Sequence, residues 1–341
     1  MSLHTDYDTE SDNLQEALYP NHASPARRSS WLAPKPLVIS AALFGTILLG
    51  LAIFNTTITL ATLQTARTQL DSYTKNWADG VATATPPPLA MEVLRAQAIV
   101  TEEHRNEQVL GHVYVINLSK RTDRRDVITN MMRFLRIPVD FLMASTPATI
   151  EFKPPSAVEH KVGDGQVACW RSHMNVYQDV VAKGRPRALI LEDDVDVEVE
   201  LAHLVEQALT HLPENWDMYY LGHCSSGDHI GTMYDVEHGI RKLKGPWCTH
   251  AYMVSQKGAR KLLSLLSKPT AAIDSMISQL GWDDKISAFS ADPLQASQIR
   301  RKDDPSDIPS SGHSQLWEGL RNSTRKALDN AILTDNVSLN Y

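Results

Sequence analysis

The stretch that most constrains the fold is Arg187–Val195, in which an apolar run ends in three consecutive carboxylates. The run Ala188–Leu191 is too short for a helix and lies between Pro186 and charged residues, so it predicts a buried strand. Three carboxyl groups at the tip of a core strand repel one another and lose hydration. Their hard oxygen atoms suit Mg²⁺ or Mn²⁺, which would neutralise a departing diphosphate. The alternative is a solvated acidic loop beside a helix N-terminus.

Composition excludes several classes of protein. The 341 residues are 43% apolar and 21% charged, which is typical of a globular chain. A net charge of -7 argues against a nucleic-acid partner, since no basic stripe is present. The three cysteines form neither a disulfide framework nor a zinc pattern. No GxxxxGK[ST] loop occurs, which argues against a metal-dependent phosphotransferase.

The N-terminal region predicts a membrane anchor. Residues 1–35 are polar and rich in proline and serine, which predicts a disordered tail. Residues 36–58 are the predicted transmembrane signal-anchor, because Leu37–Phe54 carries no charge and about 20 apolar residues span the membrane. A signal peptide would begin closer to Met1. Basic residues precede the span, so the tail is expected in the cytoplasm and the remainder in the lumen.

The remaining chain divides into a stem, a catalytic domain and a tail. Residues 59–108 are rich in threonine and alanine and reach a triple proline, which predicts a spacer. The predicted catalytic domain is 109–312, and 313–341 is a weakly patterned tail. Four positions fit the N-glycosylation pattern, of which the two C-terminal ones are favoured: Asn55, Asn117, Asn322 and Asn336.

A basic turn follows the first predicted strand. His112–Leu118 is rich in β-formers, and Ser119–Arg125 then carries four cations. Thr122 is a candidate N-cap for a helix beginning at Asp123. A strand, a basic turn and a helix N-terminus together predict an anion site for a diphosphate. The alternative is a solvated basic turn.

Strands and helices then alternate, which predicts an α/β fold with ligands at the carboxyl ends of its strands. The predicted strands are Val139–Ala144, Asp217–Leu221 and Trp247–Val254, and the predicted helices are Asp164–Lys183, Val199–His211, Gln256–Leu266 capped by Ser255, and one opening at Ala272–Asp274. Between Gly222–His229 and Trp247 we expect irregular structure. On the helix with apolar residues at three- and four-residue spacing, His173 is interpreted as structural.

Two of the cysteines flank the same predicted loop. Cys224 and Cys248 lie just past or within strands, so an oxidising lumen would allow them to pair. The alternative is that they are buried free thiols.

Six pieces of the sequence, in order, resemble glycosyltransferase family 25, the lipooligosaccharide and procollagen galactosyltransferases. They are VYVINLSKRTDRR, GQVACWRSH, RALILEDDV, THAYMVSQKGARKLL, AID, and PLQ followed by SDI, and they cover roughly residues 111–310. The resemblance implies a GT-A-like fold with a mixed central sheet flanked by helices, a UDP-sugar donor, a divalent metal, and inversion at the sugar carbon. The anchor and stem look like a type II Golgi or endoplasmic-reticulum enzyme, and a collagen acceptor is not implied.

Each candidate site residue has a predicted role. Asp194, Glu192 and His250 are the candidate metal ligands, for Mn²⁺ or Mg²⁺. The candidate donor-binding residues are Asn117, Arg121, Arg124, Arg125, Glu192 and Asp193.

An inverting transfer also needs a base on the acceptor side, and a bound cation makes the metal ligands poor bases. Asp274 is the first candidate base, with Asp284 and Asp283 in reserve. The alternative is that Asp274 only caps its helix.

The sequence therefore predicts a metal-dependent hexosyltransferase, with galactose from UDP-galactose as the expected donor sugar. Its acceptor would be a glycan or glycoprotein, and its place a Golgi or endoplasmic-reticulum membrane with the catalytic domain in the lumen. The alternative is a non-catalytic scaffold that retains the fold and binds a glycan or nucleotide sugar.

Overall fold

The computed structural model describes residues 88–299 and 320–335. The predicted tail (1–35), the predicted anchor (36–58) and most of the predicted stem lie outside these residues. Within 88–299 and 320–335, no helix is both long and apolar enough to cross a membrane.

The described chain alternates between strands and helices, as the sequence predicts. The strands are β1 His112–Asn117, β2 Asp140–Met143, β3 Arg187–Glu192, β4 Val195–Val197, β5 Met218–Gly222, β6 Thr232–Asp235, β7 Ile240–Lys242, β8 Ala251–Ser255, β9 Ala288–Ala291 and β10 Ala296–Gln298. The helices are α1 Pro88–Leu110, α2 Thr122–Phe134, α3 Pro155–Glu159, α4 Asp164–Ala182, α5 Leu201–His211, α6 Gln256–Leu265, α7 Ile273–Trp282 and α8 Thr324–Asp335.

Eight strands form one mixed sheet in the order β2-β1-β3-β8-β5-β9-β7-β6. β1 pairs in parallel with both β2 and β3, whereas β8 is antiparallel to β3 and β5. The parallel β9 and the antiparallel β7–β6 hairpin complete the sheet, and β4 and β10 pair separately. This confirms the predicted α/β class with a mixed central sheet flanked by helices.

Apolar side chains alternate between the two faces of the sheet. Val113 and Val115 of β1 face a core with α2 and α5, whereas Tyr114 and Ile116 face a core with α4, α6 and α7. Successive side chains of a strand point to opposite faces, so both faces of a central strand must be apolar. This explains the nearly continuous apolar runs in the strands.

Helix boundaries follow local hydrogen bonding. Ser255 Oγ accepts the N–H of Gly258 at 2.9 Å, which confirms Ser255 as the cap of α6. The predicted cap at Thr122 is wrong, because α2 already begins there and Arg121 occupies the cap position without a side-chain cap. Arg121 is held by its backbone, with its N–H donating to Leu118 O at 2.8 Å.

Two stretches differ from the prediction. The segment expected to be irregular contains the β6–β7 hairpin, whose short strands TMYD and IRK do not alternate between polar and apolar residues and so give no period-two signal. The strand expected from Trp247 begins at Ala251, because Cys248 has a φ of 65°, which extended backbone does not allow.

The segment 320–335, which the sequence places in a tail, packs against the small β4–β10 sheet. Ser323 bridges Glu198, and Thr324 Oγ1 donates to Val197 O at 2.7 Å. Asn106 of α1 donates to the carbonyls of Leu135 and Arg136, just after α2. Both segments are held by buried polar contacts that span long stretches of sequence.

Candidate active site

The acidic triplet lies where three neighbouring strands meet. Glu192 ends β3 and pairs in register with Ile116 of β1, so Asn117 lies beside the triplet. On the other side of β3, the Glu192 N–H donates to His250 O at 2.8 Å, just before β8 begins. The sheet therefore brings together Asn117, the triplet and His250.

Glu192 is the carboxylate of the three whose ionised form is most stabilised by its neighbours. Thr249 Oγ1 donates to Glu192 Oε1 at 2.8 Å, and His173 Nε2 lies 3.5 Å from the same oxygen. Burial opposes ionisation, but His173, followed by His250 and Thr249, outweighs it and lowers the pKa of Glu192. Glu192 is therefore ionised in the folded protein at neutral pH.

Asp193 faces the basic turn. Asn117 Nδ2 donates to Asp193 Oδ2 at 2.8 Å, and Arg124 Nη1 donates to Asp193 Oδ1 at 3.0 Å. Despite these donors, burial raises the pKa of Asp193, with the charge of Glu192 adding to the effect.

Asp194 is the least satisfied of the three. Its Oδ2 accepts from Gln298 Nε2 at 3.1 Å and lies 3.4 Å from Arg124 Nη1. Its Oδ1 is buried, and within the described residues no hydrogen-bond partner reaches it. Burial, and then the charge of Glu192, raise the pKa of Asp194 to about 7. The single charge of Arg124 cannot neutralise three carboxyl groups, so the cluster is short of positive charge.

The three arginines of the basic turn have different surroundings. Arg124 is 9% exposed and contacts Asp193 and Asp194. Arg121 pairs with Asp123 through two hydrogen bonds of 3.0 and 2.8 Å. These hydrogen bonds lower the pKa of Asp123 to about 2, against the opposing effect of desolvation. The guanidinium of Arg125 lies 4.2 Å from the ring centre of Phe141 on β2. Arg124 is therefore the arginine of this turn that pairs with the acidic triplet.

Asp274 is half-buried, and its charge acts on the Cys169 thiol together with the charges of Glu192 and Asp194. Burial, followed by the charges of Glu192, Asp274 and Asp194, raises the pKa of the Cys169 thiol well above its ordinary value. Asp274 is the second residue of α7, whose cap position is Ala272, and its Oδ1 accepts the N–H of Ser275 at 2.8 Å. Asp274 therefore does not occupy the cap position of α7, and it shares an electrostatic neighbour with the triplet.

The reserve candidates lie at the surface. Asp284 is 68% exposed in the turn after α7 and pairs with Lys244 at 3.1 Å. Asp283 accepts a hydrogen bond from Gln279. His250, by contrast, is 1% exposed, and its ring packs so closely on Gly222 that a side chain there would meet Nε2 at 2.4 Å. The Cys224–Cys248 disulfide closes the loop next to His250.

A model of protein families matches residues 111–277 to glycosyltransferase family 25, described as an LPS biosynthesis protein. The chain carries a family 25 glycosyltransferase domain. The matched residues include β1, the basic turn, the acidic triplet, His250 and Asp274. The family predicted from the sequence is therefore confirmed.

Curated relatives of the family 25 domain differ in their stated activity. The chain is 26% identical over 258 residues to the Homo sapiens "Inactive glycosyltransferase 25 family member 3", covering 66% of this chain and 43% of the relative. It is 27% identical over 179 residues to an Aedes aegypti "Glycosyltransferase 25 family member", covering 47% and 29%. It is 23% identical over 168 residues to the Danio rerio "Procollagen galactosyltransferase 1", covering 44% and 28%. The chain thus spans less than half the length of these relatives.

Sequence reasoning missed the residues that hold the triplet of the family 25 domain in place. Gln298 lies 104 residues after Asp194, so no local pattern joins them. His173, interpreted as structural, does hydrogen-bond Tyr252 Oη at 2.9 Å, and its other ring nitrogen faces Glu192. Tyr177 extends this buried chain through a 2.7 Å contact with Tyr252. The helical spacing of His173 and Tyr177, which places both on one face of α4, was the available signal.

Proposed function

We propose that this chain is a metal-dependent glycosyltransferase that transfers a hexose, galactose from UDP-galactose in the first instance, to a glycan or glycoprotein with inversion. The family supports the reaction class, and the mixed sheet with carboxylates at the end of β3 supports a GT-A-like donor site. The observation that carries the proposal is the buried, unsatisfied Oδ1 of Asp194 in a cluster short of positive charge.

The residues present fit a divalent metal. A buried carboxylate oxygen without a hydrogen-bond donor is costly unless a cation compensates it. Asp194 and Glu192 would hold Mn²⁺ or Mg²⁺ through hard oxygen atoms, and His250 is a further candidate ligand beside Glu192. When bound, the ion would stabilise the negative charge of the departing UDP.

The basic turn would support donor binding in two ways, by positioning the acidic triplet and by contacting the donor phosphates. Arg124 positions the triplet by holding Asp193, and Asn117 supports the same carboxylate from β1. Arg121 and Arg125 remain the candidate ligands of the donor phosphates, since one guanidinium group can donate two parallel hydrogen bonds to the oxygen atoms of a phosphate. This division assigns Arg124 to positioning and the other two to binding.

Asp274 would accept the proton on the acceptor side. As the acceptor oxygen bonds to the anomeric carbon, the bond from that carbon to the diphosphate breaks and UDP departs. The proton of the acceptor hydroxyl passes to the Asp274 carboxylate. Asp284, exposed and paired with Lys244, remains the reserve base.

The luminal location also belongs to this proposal. The Cys224–Cys248 disulfide supports an oxidising compartment. Asn322 is exposed on the segment before α8, which suits a glycan. The predicted anchor at 36–58 would place the domain at a Golgi or endoplasmic-reticulum membrane.

A second candidate is a non-catalytic scaffold that binds a glycan or nucleotide sugar. The human relative, which is named as inactive, favours this candidate. So does the contact of Arg124 with Asp193 and Asp194, because it partly stabilises the cluster without a metal. Such a protein would bind UDP-sugar without releasing UDP.

A donor screen of the full-length chain separates the two candidates. We expect UDP release from UDP-galactose that depends on Mn²⁺ and falls about 10²–10³-fold in Asp194→Asn. Asp126→Asn, which changes an exposed carboxylate of α2, is the matched control and should behave like the parent. Donor binding without release from any UDP-hexose, with an acceptor panel present, would instead support the scaffold.

A further inference from the structure

A second group of metal-binding side chains lies on the surface, outside the acidic triplet. His211 is the last residue of α5, Asp235 ends β6, and His238 lies in the turn between β6 and β7. Asp235 Oδ2 lies 3.0 Å from His238 Nδ1 and 3.6 Å from His211 Nδ1. One ligand atom from each residue lies within 4.8 Å of the other two. Two imidazoles from separate elements therefore converge on one carboxylate.

The hairpin side of this group is held in one conformation. The N–H of His238 donates to Asp235 Oδ1 at 3.0 Å, which fixes the carboxylate within its own turn. Gly239 follows with a φ of 60°, and any side chain there would meet Asp292 O at 2.2 Å. The turn that presents Asp235 and His238 is thus pre-organised, as a binding site requires.

The two rings have room to adjust. They stack with their centres 3.4 Å apart and their planes 14° from parallel, and both side chains are about one third exposed. A metal ion lies near the plane of each imidazole that it binds, so the two stacked rings would have to tilt away from each other before both could bind one ion. The open side leaves a fourth position for water.

The ligand atoms of this group favour Zn²⁺ over Mn²⁺ or Mg²⁺, the ions expected at the triplet. Two imidazole nitrogens and one carboxylate oxygen suit Zn²⁺, whereas oxygen atoms alone suit Mg²⁺ and Mn²⁺. The carboxyl-terminal end of α5 adds a partial negative charge beside His211.

We propose that His211, Asp235 and His238 form a zinc site that fastens the β6–β7 hairpin to the end of α5. Within residues 88–299 and 320–335, β6 is the edge strand of the sheet and pairs with β7 alone. A strand at the edge of a sheet unfolds locally more readily than a central one because it has fewer partners. An ion that binds only the folded hairpin would stabilise it against such local unfolding. The site is independent of the proposed transferase activity.

The test measures zinc uptake by the metal-stripped full-length chain, in excess Mg²⁺, against a chromophoric chelator. We expect the parent to bind one more Zn²⁺ than His211→Gln, Asp235→Asn or His238→Gln, or to bind that ion at least about tenfold more tightly. His160→Gln, which changes an exposed histidine after α3, is the matched control and should match the parent. Co²⁺ in place of zinc should give the intense visible bands of a tetrahedral site, and the three variants should lose them.

Hydrogen exchange gives a second readout that does not depend on the affinity of other sites. Zinc should slow amide exchange at residues 232–242 in the parent and leave it unchanged in folded His238→Gln. The proposal is overturned if the parent takes up no zinc below about 100 μM, or if folded His211→Gln and His238→Gln bind zinc as the parent does. Zinc-independent exchange at the hairpin would overturn it equally.

Discussion

The acidic run from Glu192 to Glu198 contains two halves with opposite surroundings. Asp196 accepts hydrogen bonds from the backbone of Val197 and from Ser323 Oγ, at 2.9 and 2.5 Å. Glu198 accepts the backbone N–H groups of Arg321 and Asn322 at 2.7 and 2.9 Å. In the triplet, by contrast, Asp194 has a buried oxygen that accepts no hydrogen bond from any described residue.

The difference shows how one sequence signal serves two purposes. Asp196 of β4 and Glu198, which follows β4, accept hydrogen bonds from residues 321–325, so they anchor that segment to the domain. The triplet carries negative charge that the described residues do not fully neutralise. A bound cation would compensate this charge and would in turn attract the diphosphate of a donor. Unsatisfied charge, rather than acidity alone, distinguishes the candidate site.

The largest expected effect concerns Asp274, the proposed base. Asp274→Asn should lower the transfer rate by about 10²–10⁴-fold, because the amide cannot accept the acceptor proton. Donor affinity and the unfolding midpoint should stay close to those of the parent, since Ala272 and not Asp274 occupies the cap position. Single-turnover kinetics at saturating UDP-galactose measure the rate. A rate near that of the parent would exclude Asp274 as the base.

The second prediction concerns stability against pH in the metal-free chain. The pKa of Asp194 is raised to about 7 in the folded state, so the folded state holds a proton between about pH 4 and 7 that the unfolded state has lost. This contribution to the free energy of unfolding is present at low pH and is lost as the pH rises to 7.

The Asp194→Asn variant has no carboxyl group at this position, so it does not lose this part of its stability as the pH rises. The variant should therefore gain stability over the parent as the pH rises from 4 to 7, by roughly 2–4 kcal/mol. Urea unfolding at several pH values measures the difference. If the difference between variant and parent does not change with pH, Asp194 is not held in a charge-poor, buried cluster.

The smallest effect is expected in the satisfied half. Glu198→Gln should lower the free energy of unfolding by about 1–2 kcal/mol, because its amide group would face a backbone N–H that now donates to a carboxylate. Metal-dependent UDP release per folded molecule should remain. Loss of that release in folded Glu198→Gln would mean that the two halves do not act separately.

The sequence predicts those features that local patterns encode. The short apolar run before the triplet correctly predicts β3, and the three- and four-residue spacing of Val167, Trp170 and Met174 correctly predicts α4. Ser255 is recognisable as a cap because it directly precedes an amphipathic helix.

Contacts between distant segments could not be predicted in this way. The return of Ser323 to Glu198 joins residues 125 apart by a polar bridge that leaves no periodic signal. Arg124 could equally bind a phosphate or a carboxylate by its chemistry, and the choice depends on where α2 lies relative to β3. The pairing of Cys224 with Cys248 likewise depends on how the loop closes.

Direct Mn²⁺ binding tests the central claim that the triplet holds a cation. Electron paramagnetic resonance reports free Mn²⁺, whose six-line signal falls when the full-length chain takes up the ion. We expect the parent and Asp126→Asn to bind one Mn²⁺ that UDP tightens, and Asp194→Asn to lose that ion while remaining folded. Equal Mn²⁺ uptake by the parent and Asp194→Asn, with or without UDP, would contradict the claim.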